Sequence, residues 1–338
     1  MSQIHYEIRP YAPGDETGIL ASFNRVFREV CGPGYVDRTL EYWRWEYLRN
    51  PAGHRIWVGL VDGVVAGNYS GTPQRFATTL GPRVFVHAVD SFVVPEHRAG
   101  LKRPGLFVSL AEPFFDDVAA RADAVVYGYP VKQAERIGSK YLGYRRVRTI
   151  EYLTRASGEG SVEVPAGLRV EKVTRLGDEV DALWARGAGD RRCALVRDRA
   201  YLQWRWLDVP GSARDYEVWL VRRGAELAGL MVLRPRHELV PGGCCIADWC
   251  VPAADEDAAR ALIARATATA RELGRSTVMA VFPPASPEHA RLVRDGFALQ
   301  SSAQWHERIL MHRTFDPALE ESWLIGNWWY TIGDSDLV

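Results

Sequence analysis

The chain repeats itself, and no other feature of the sequence restricts its fold as much. Trp43-Arg44-Trp45 recurs as Trp204-Arg205-Trp206, and the apolar run Asp90-Ser91-Phe92-Val93-Val94-Pro95 recurs as Asp248-Trp249-Cys250-Val251-Pro252. Pro130 stands 13 residues before Gly143-Tyr144, and Pro283 stands 13 residues before Gly296-Phe297. Landmarks that recur in the same order mark a duplication, so the 338 residues should fold as two copies of one domain. At roughly 100–200 residues per domain, each copy is large enough to bury its own core.

Hydrophobic periodicity supplies the elements of each copy. A strand at 4–10 leads into an amphipathic helix opened by Asp15, with Ile19, Leu20, Phe23, Val26 and Phe27 on one face. A helix at 38–49 follows, then strands at 56–61 and 64–74 joined by Asp62-Gly63, a hairpin signal because both turn positions need φ > 0. A strand at 84–94, a helix at 105–120, a strand at 124–129, a helix at 131–141 and a strand at 144–154 complete the first copy. The second keeps the order: strand 168–173, helices 177–187 and 197–207, strands 216–221, 225–234 and 244–251, helix 254–273, strand 276–282, helix 286–294 and a closing hairpin. Each copy reads as α/β (α+β), a twisted mixed sheet flanked by helices. Segment 155–166 is small, polar and broken by Gly and Pro. It reads as a linker, giving domains at 1–156 and 167–313, a linker core at 157–166, and an aromatic, acidic tail at 314–338.

Composition removes several function classes. The 42 basic and 42 acidic side chains leave no cationic surplus for a nucleic-acid backbone, so no nucleic-acid partner is expected. No apolar run approaches the roughly 18 residues a membrane helix needs, and Glu7, Arg9, Asp15 and Glu16 interrupt any signal peptide. A cytoplasmic protein without a membrane partner is the expectation. The five Cys suit reduced, buried thiols. A zinc site from Cys244, Cys245, Cys250 and His237 is disfavoured, because adjacent Cys244 and Cys245 would point to opposite faces of a strand. No metal is expected.

Three segments carry a family resemblance. I-R-P-Y-A-P-G-D-E-T-G-I-L-A-S-F-N-R-V-F is similar to the first strand and helix of the GNAT (N-acetyltransferase) superfamily. V-V-P-E-H-R-A-G-L-K-R-P-G-L-F resembles its cofactor loop, and V-V-Y-G-Y-P followed by L-G-Y-R-R-V resembles its last strand, helix and closing strand. The resemblance covers nearly the whole chain in two copies. It implies tandem GNAT-like domains, a sheet splayed between its fourth and fifth strands, and acyl transfer from acyl-coenzyme A, most simply acetyl-CoA, to an amine. Phe92, Val93, Val94, Arg98, Gly100, Lys102, Arg103, Pro104, Gly105, Leu106 and Pro130 become the candidate coenzyme residues.

The physics of the loop points the same way. A strand ending at Pro95, a Gly-containing loop and a helix starting near Gly105 bring unpaired N–H groups and a positive helix end together, an anion site suited to pyrophosphate. Arg98, Lys102 and Arg103 add charge there. The resemblance also places the acid that protonates the departing thiolate at Ser139, which has no phenol. Tyr141, two residues on, would point elsewhere on a regular helix; Ser139 and Tyr141 are both carried as candidates. In the second copy Asp255, Glu256 and Asp257 occupy the ground of the phosphate loop and would repel a phosphate, so that copy should bind no coenzyme.

Transfer needs a neutral amine, and a carboxylate can take its proton. Asp90, on the strand entering the loop, is the candidate, with a structural ion pair as the competing reading. His87 would lie on the opposite face. The Trp-Arg-Trp motifs read as core, since both copies have them. The tail would either fold over the substrate cleft, with Trp328, Trp329 and Tyr330 as an apolar wall and Asp334 and Asp336 facing the acceptor, or pack between the domains. The expected function is an acyl-CoA-dependent N-acyltransferase whose small amine acceptor, such as an amino sugar or a metabolite, sits in a cleft shared with the second domain. A Fem-type aminoacyl transferase and a non-catalytic acyl-CoA sensor are the alternatives. The oligomeric state is left open.

Overall fold

The computed structural model describes residues 5–98, 105–211 and 215–338. In chain order the elements begin β1 (Glu7–Pro10), α1 (Asp15–Cys31), α2 (Leu40–Leu48), β2 (Arg55–Val61), β3 (Val64–Thr78), β4 (Arg83–Val93), α3 (Leu106–Ala120), β5 (Val125–Gly128), α4 (Lys132–Tyr141) and β6 (Arg145–Thr149). The chain continues through β7 (Glu151–Ala156), β8 (Leu168–Val173), α5 (Glu179–Ala188), β9 (Cys193–Leu195), α6 (Arg199–Leu202), β10 (Glu217–Arg223), β11 (Glu226–His237) and β12 (Gly243–Cys250). It ends with α7 (Glu256–Glu272), β13 (Thr277–Ala280), α8 (Pro287–Arg294), β14 (Ala298–Ser301), β15 (Ile309–Thr314), α9 (Glu321–Asn327) and β16 (Trp328–Trp329). The expected turn at Asp62-Gly63 is present, with φ of 50° and 77°.

Two compact units result, one of Met1–Arg75, Arg83–Val147 and Leu310–Leu319, the other of Phe76–Pro82, Arg148–Ile309 and Glu320–Val338. The first unit's strands run β1-β2-β3-β4-β5-β15-β6, and the second's run β8-β10-β11-β12-β13-β7-β14. The two orders are the same pattern with one substitution. The strand after the fifth position comes from the other half of the sequence in each unit. β15 pairs antiparallel with β5 from Met311↔Gly128 to Thr314↔Val125, and β7 pairs with β13 from Thr277↔Ala156 to Ala280↔Leu153.

This corrects the boundary drawn at 156. The expected single strand 144–154 is two strands, of which β6 stays with the first sheet and β7 completes the second. The tail at 314–338 is no separate segment either. Its first residues belong with β15, and Glu320–Val338 belong to the second unit.

In the first unit α1 buries Ile19, Phe23 and Val26, the face its periodicity marked. They join Val58, Val86, Leu110, Phe114 and Val126 in one core. Trp43, Trp45, Trp204 and Trp206 are buried core residues, as read from the sequence. Arg44 pairs with Glu16 at 3.1 Å and Arg205 lies 4.2 Å over the Trp206 ring. Among the described residues no helix is long and apolar enough to cross a membrane, and no cluster of His, Cys, Asp or Glu is placed to hold a metal.

Candidate functional site

The parallel register between β4 and β5 runs from Phe85↔Val125 to His87↔Tyr127 and stops there, while β4 continues to Val93. The released end of β4 opens a cleft of about 330 Å³. Ser91, Phe92 and Val93 form its floor, Val26, Phe27 and Val30 of α1 one wall, and Ala134, Ile137 and Tyr141 of α4 the other. Gly105 to Val108, at the start of α3, close one end beside His97 and Arg98. Val30 and Val131 line the cleft although each is over 60% exposed, which puts apolar side chains where the cleft meets solvent.

The start of α3 is built to receive an anion. Gly105 occupies the N-cap without a side-chain hydrogen bond, and the first turn holds no acid. The Val108 N–H turns back to the Gly105 carbonyl at 2.9 Å, so what this end can offer a ligand is its positive dipole and the N–H groups of Leu106 and Phe107. In the second unit the matching helix, α7, is capped by its own chain: Asp255 accepts from the Ala258 N–H at 3.0 Å, with Glu256 and Asp257 beside it. Arg223 takes both oxygens of Asp255, and Arg291 and Arg294 take Glu256.

β4 turns sharply at Asp90, whose φ of 55° is a left-handed value for a residue that is not glycine. Side-chain hydrogen bonds between β3 and β4 hold the turn: Ser70 Oγ donates to the Val89 carbonyl at 2.7 Å, Asn68 Nδ2 to the Asp90 carbonyl at 3.3 Å, and Ser91 Oγ of β4 accepts from the Ser70 N–H at 3.2 Å. The Asp90 carboxylate is paired with Arg38 and accepts from the Tyr47 hydroxyl at 3.0 Å. Arg38 also pairs with Glu46 at 2.9 Å and lies 4.5 Å over the Phe23 ring. Burial works against the Arg38 charge, but Asp90 and Glu46 outweigh it and hold the guanidinium well above its usual range. Burial, then the Asp90 charge, raise the Tyr47 phenol well above its usual range, so it stays a donor.

Of the residues singled out in the sequence, Phe92, Val93, Arg98, Gly105, Leu106 and Tyr141 line the cleft. Arg98 is partly spent on the fold, its Nε donating to the Val93 carbonyl at 2.8 Å. Val94 is buried with its N–H bonded to the Ala66 carbonyl, and Pro130 is not in the lining. Gly100, Lys102, Arg103 and Pro104 lie outside the described residues. Ser139 is exposed on the outer side of α4 beside Glu135, Arg136 and Lys140, so the role offered to it fails on geometry. Tyr141 corrects the opposite expectation: Ala134, Ile137 and Tyr141 share the inner stripe of the helix, and the phenol faces the cleft. His87 is buried and stacked 4.8 Å from the Tyr127 ring, outside the lining.

The sequence reading missed Arg38, Glu46 and Tyr47 around Asp90. One signal existed. Arg38 and Arg197 each directly precede the residue, Thr39 or Asp198, that caps the following helix in its copy. The tail reading also changes. Trp328, Trp329, Tyr330 and Asp334 are buried in the second unit, Trp329 stacked between Arg191 and Arg197 at 4.1 and 4.6 Å, and Asp334 paired with Arg197.

No protein-family model matches this sequence, and neither does any curated protein. Solved structures do match. A GCN5-related N-acetyltransferase from Anabaena variabilis ATCC 29413 superposes with a TM-score of 0.66 at 14% identity, over 92% of this chain and 73% of that one. One from Kribbella flavida gives 0.63 at 14%, over 92% and 71%. A tandem GNAT protein from the clavulanic acid biosynthesis pathway gives 0.55 at 14%, over 93% and 99%. At such identities the likeness establishes the fold: two GNAT-type domains in tandem.

Proposed function

On the premise of a tandem GNAT fold, we propose that this protein is an acyl-CoA-dependent N-acyltransferase, with the coenzyme in the first unit and a small amine, such as an amino sugar or another metabolite, as acceptor. The observation that carries the reading is the contrast between α3 and α7. The start of α3 is acid-free, has no side-chain cap and opens into an apolar slot beside the released end of β4, whereas α7 caps itself with Asp255. Pyrophosphate fits the first arrangement and is repelled by the second.

Acetyl-CoA would supply an activated thioester. Phe92, Val93, Phe27 and Ile137 hold its pantetheine arm and exclude water. The amine nitrogen attacks the thioester carbonyl, the C–N bond forms, the C–S bond breaks, and the nitrogen gives its proton to water. Tyr141, the phenol in the slot, protonates the departing sulfur. A tyrosine in the slot supports an enzyme over a non-catalytic sensor. Asp90, engaged by Arg38 and Tyr47, holds the turn of β4 instead of acting as a free base.

The test is calorimetric titration of the full chain with coenzyme A, followed by thiol release from acetyl-CoA with a panel of primary amines. Binding at micromolar concentrations with amine-dependent release is expected. Absence of binding would remove the proposal.

A further inference from the structure

The second unit contains a finished version of an arrangement that the first leaves open. In the second unit Arg197 is paired with Asp248, its Nε at 2.6 Å from Oδ1. The Thr331 hydroxyl bridges the two: it donates to Asp248 Oδ1 at 3.1 Å and accepts from Arg197 Nη2 at 3.1 Å. Asp334 is the second carboxylate on the same guanidinium. Gly333 passes so close to the bulged strand that a Cβ there would lie 2.6 Å from the Ala247 carbonyl. The chain's own tail thus fills the place beside the fourth strand of this copy.

In the first unit Arg38 and Asp90 hold the matching positions, each arginine just before a helix cap and each aspartate on the fourth strand of its copy. Glu46 stands in for Asp334, since it too shares the arginine, through Nη1, with the aspartate. Among the described residues the part played by Thr331 has no counterpart. Both bonds to the Asp90 carboxylate fall on Oδ2, and among the described residues no hydrogen bond reaches Asp90 Oδ1 or Arg38 Nη2. The side chains of Arg38 and Asp90 keep 22% and 10% of their surface, against 0% for Arg197 and Asp248. Solvent or a ligand can therefore reach the first pair and cannot reach the second.

The chemistry of the bridging atom is restrictive. A group that donates to a carboxylate while accepting from a guanidinium must carry both a proton and a lone pair. A hydroxyl does; an ammonium has no lone pair and would be repelled by the arginine. We propose that Arg38 and Asp90 form an acceptor subsite for a hydroxyl group, so that the acceptor class is a hydroxylated amine, an amino alcohol or amino sugar. This rests on the reading of the adjoining cleft as the acyl-CoA site. Asp90 is one residue, about 3.8 Å of backbone, from the cleft-lining Ser91. Phe23, beneath Arg38, stacks at 4.2 Å on Phe27 of the cleft wall, so an aromatic partition lies between the pantetheine arm and the subsite. Tyr47 and Asn68 fix the aspartate in advance, and Asn24 fixes the Arg38 backbone from both sides.

The experiment is calorimetry on the full chain saturated with non-acylated coenzyme A, titrated with matched pairs: D-glucosamine and cyclohexylamine, 2-amino-1,3-propanediol and 2-aminopropane, 2-aminoethanol and ethylamine. The hydroxylated member of at least one pair should bind about 10-fold tighter or better. Arg38→Lys keeps the charge that Asp90 and Glu46 need but loses the second N–H arm, and it should bring that pair within about 2-fold while leaving coenzyme affinity unchanged. If Arg38→Lys does not fold, Asp90→Asn, which tolerates the left-handed backbone, should narrow the same gap by several-fold. Equal binding within all three pairs of the wild type, or a gap that survives in the folded variant, overturns the proposal. Should coenzyme A itself not bind, the functional reading fails, and the same pairs titrated without it still decide the subsite.

Discussion

Gly105→Asp installs in the first copy the cap that closes the second. Gly105 has φ −132° and ψ −172°, an extended N-cap conformation that an aspartate adopts without strain. Its carboxylate would accept from the first-turn N–H groups of α3, as Asp255 does from Ala258 at 3.0 Å in α7. Asp in place of Gly at an N-cap should stabilise the fold by only a few tenths of a kcal/mol. Binding should move the other way. A carboxylate about 5 Å from one phosphate charge, at an effective dielectric constant near 20, costs about 3 kcal/mol, or roughly 10²-fold in Kd. The assay pairs thermal unfolding with titration of coenzyme A. The prediction is a melting temperature equal to or slightly above wild type together with affinity reduced at least 10²-fold, and weaker discrimination against dephosphorylated pantetheine, which has no pyrophosphate to lose. Unchanged coenzyme affinity in a stably folded variant would refute the assignment of this helix end to phosphate. A fall in both properties would mean that Gly105 matters for folding alone.

Tyr141→Phe should leave coenzyme binding intact and lower kcat by about 10–10²-fold, because the phenol is needed only when the thiolate leaves; single-turnover thiol release measures this, and an unchanged kcat would return the proton to water. Asp248→Asn should cost about 3–5 kcal/mol in urea unfolding, since it breaks a fully buried pair in which the aspartate also accepts from Trp206 and Thr331. Asp334 behaves differently. Burial, opposed by Arg197 and aided by Asp248, raises its carboxyl to about 7, so between pH of about 4 and 7 the native state holds a proton that the unfolded chain releases. Stability should therefore fall as pH rises through that window, by up to about 1.4 kcal/mol per unit, and level off above it. Asp334→Asn should flatten the slope between about pH 4 and 7, and an unaltered slope would place the titration elsewhere.

The legible parts of this fold are those encoded by neighbours. Asp62-Gly63 announced its hairpin, and Gly143 and Gly296, with φ of 67° and 86°, end their helices where the repeat placed them. Tyr141 was misjudged because its position was counted from Gly143, when the phase of Ala134 and Ile137 on the same helix was the better guide. The Arg38–Asp90 pair spans 52 residues, and nothing local ties the two together. Sheet membership was illegible for a simpler reason. E-Y-L-T-R-A in β7 and I-L-M-H-R-T in β15 are both good strands, and a strand pattern states that a segment pairs, not with which sheet.

That exchange of strands carries a consequence for any attempt to study the first copy alone. A fragment of residues 1–156 would contain β7, which has no place in its sheet, and would lack β15, which separates β5 from β6. β5 would lose the antiparallel register from Val125 to Gly128, and β6 would lose the neighbour that joins it to the sheet. Leu310 and Met311 are at most 2% exposed, and the burial of each is worth about 1.5–3 kcal/mol. Removing both takes roughly 3–6 kcal/mol from a domain whose whole stability is of order 5–15 kcal/mol, and it bares a sheet edge open to aggregation. The fragment should therefore show no cooperative urea transition and no coenzyme binding. A synthetic peptide of residues 307–319 added in trans, or the same residues joined after 149 by a short flexible linker, should restore both. If 1–156 unfolds cooperatively without the peptide and its midpoint does not move when the peptide is added, β15 is dispensable and the sequence boundary at 156 was the physical one.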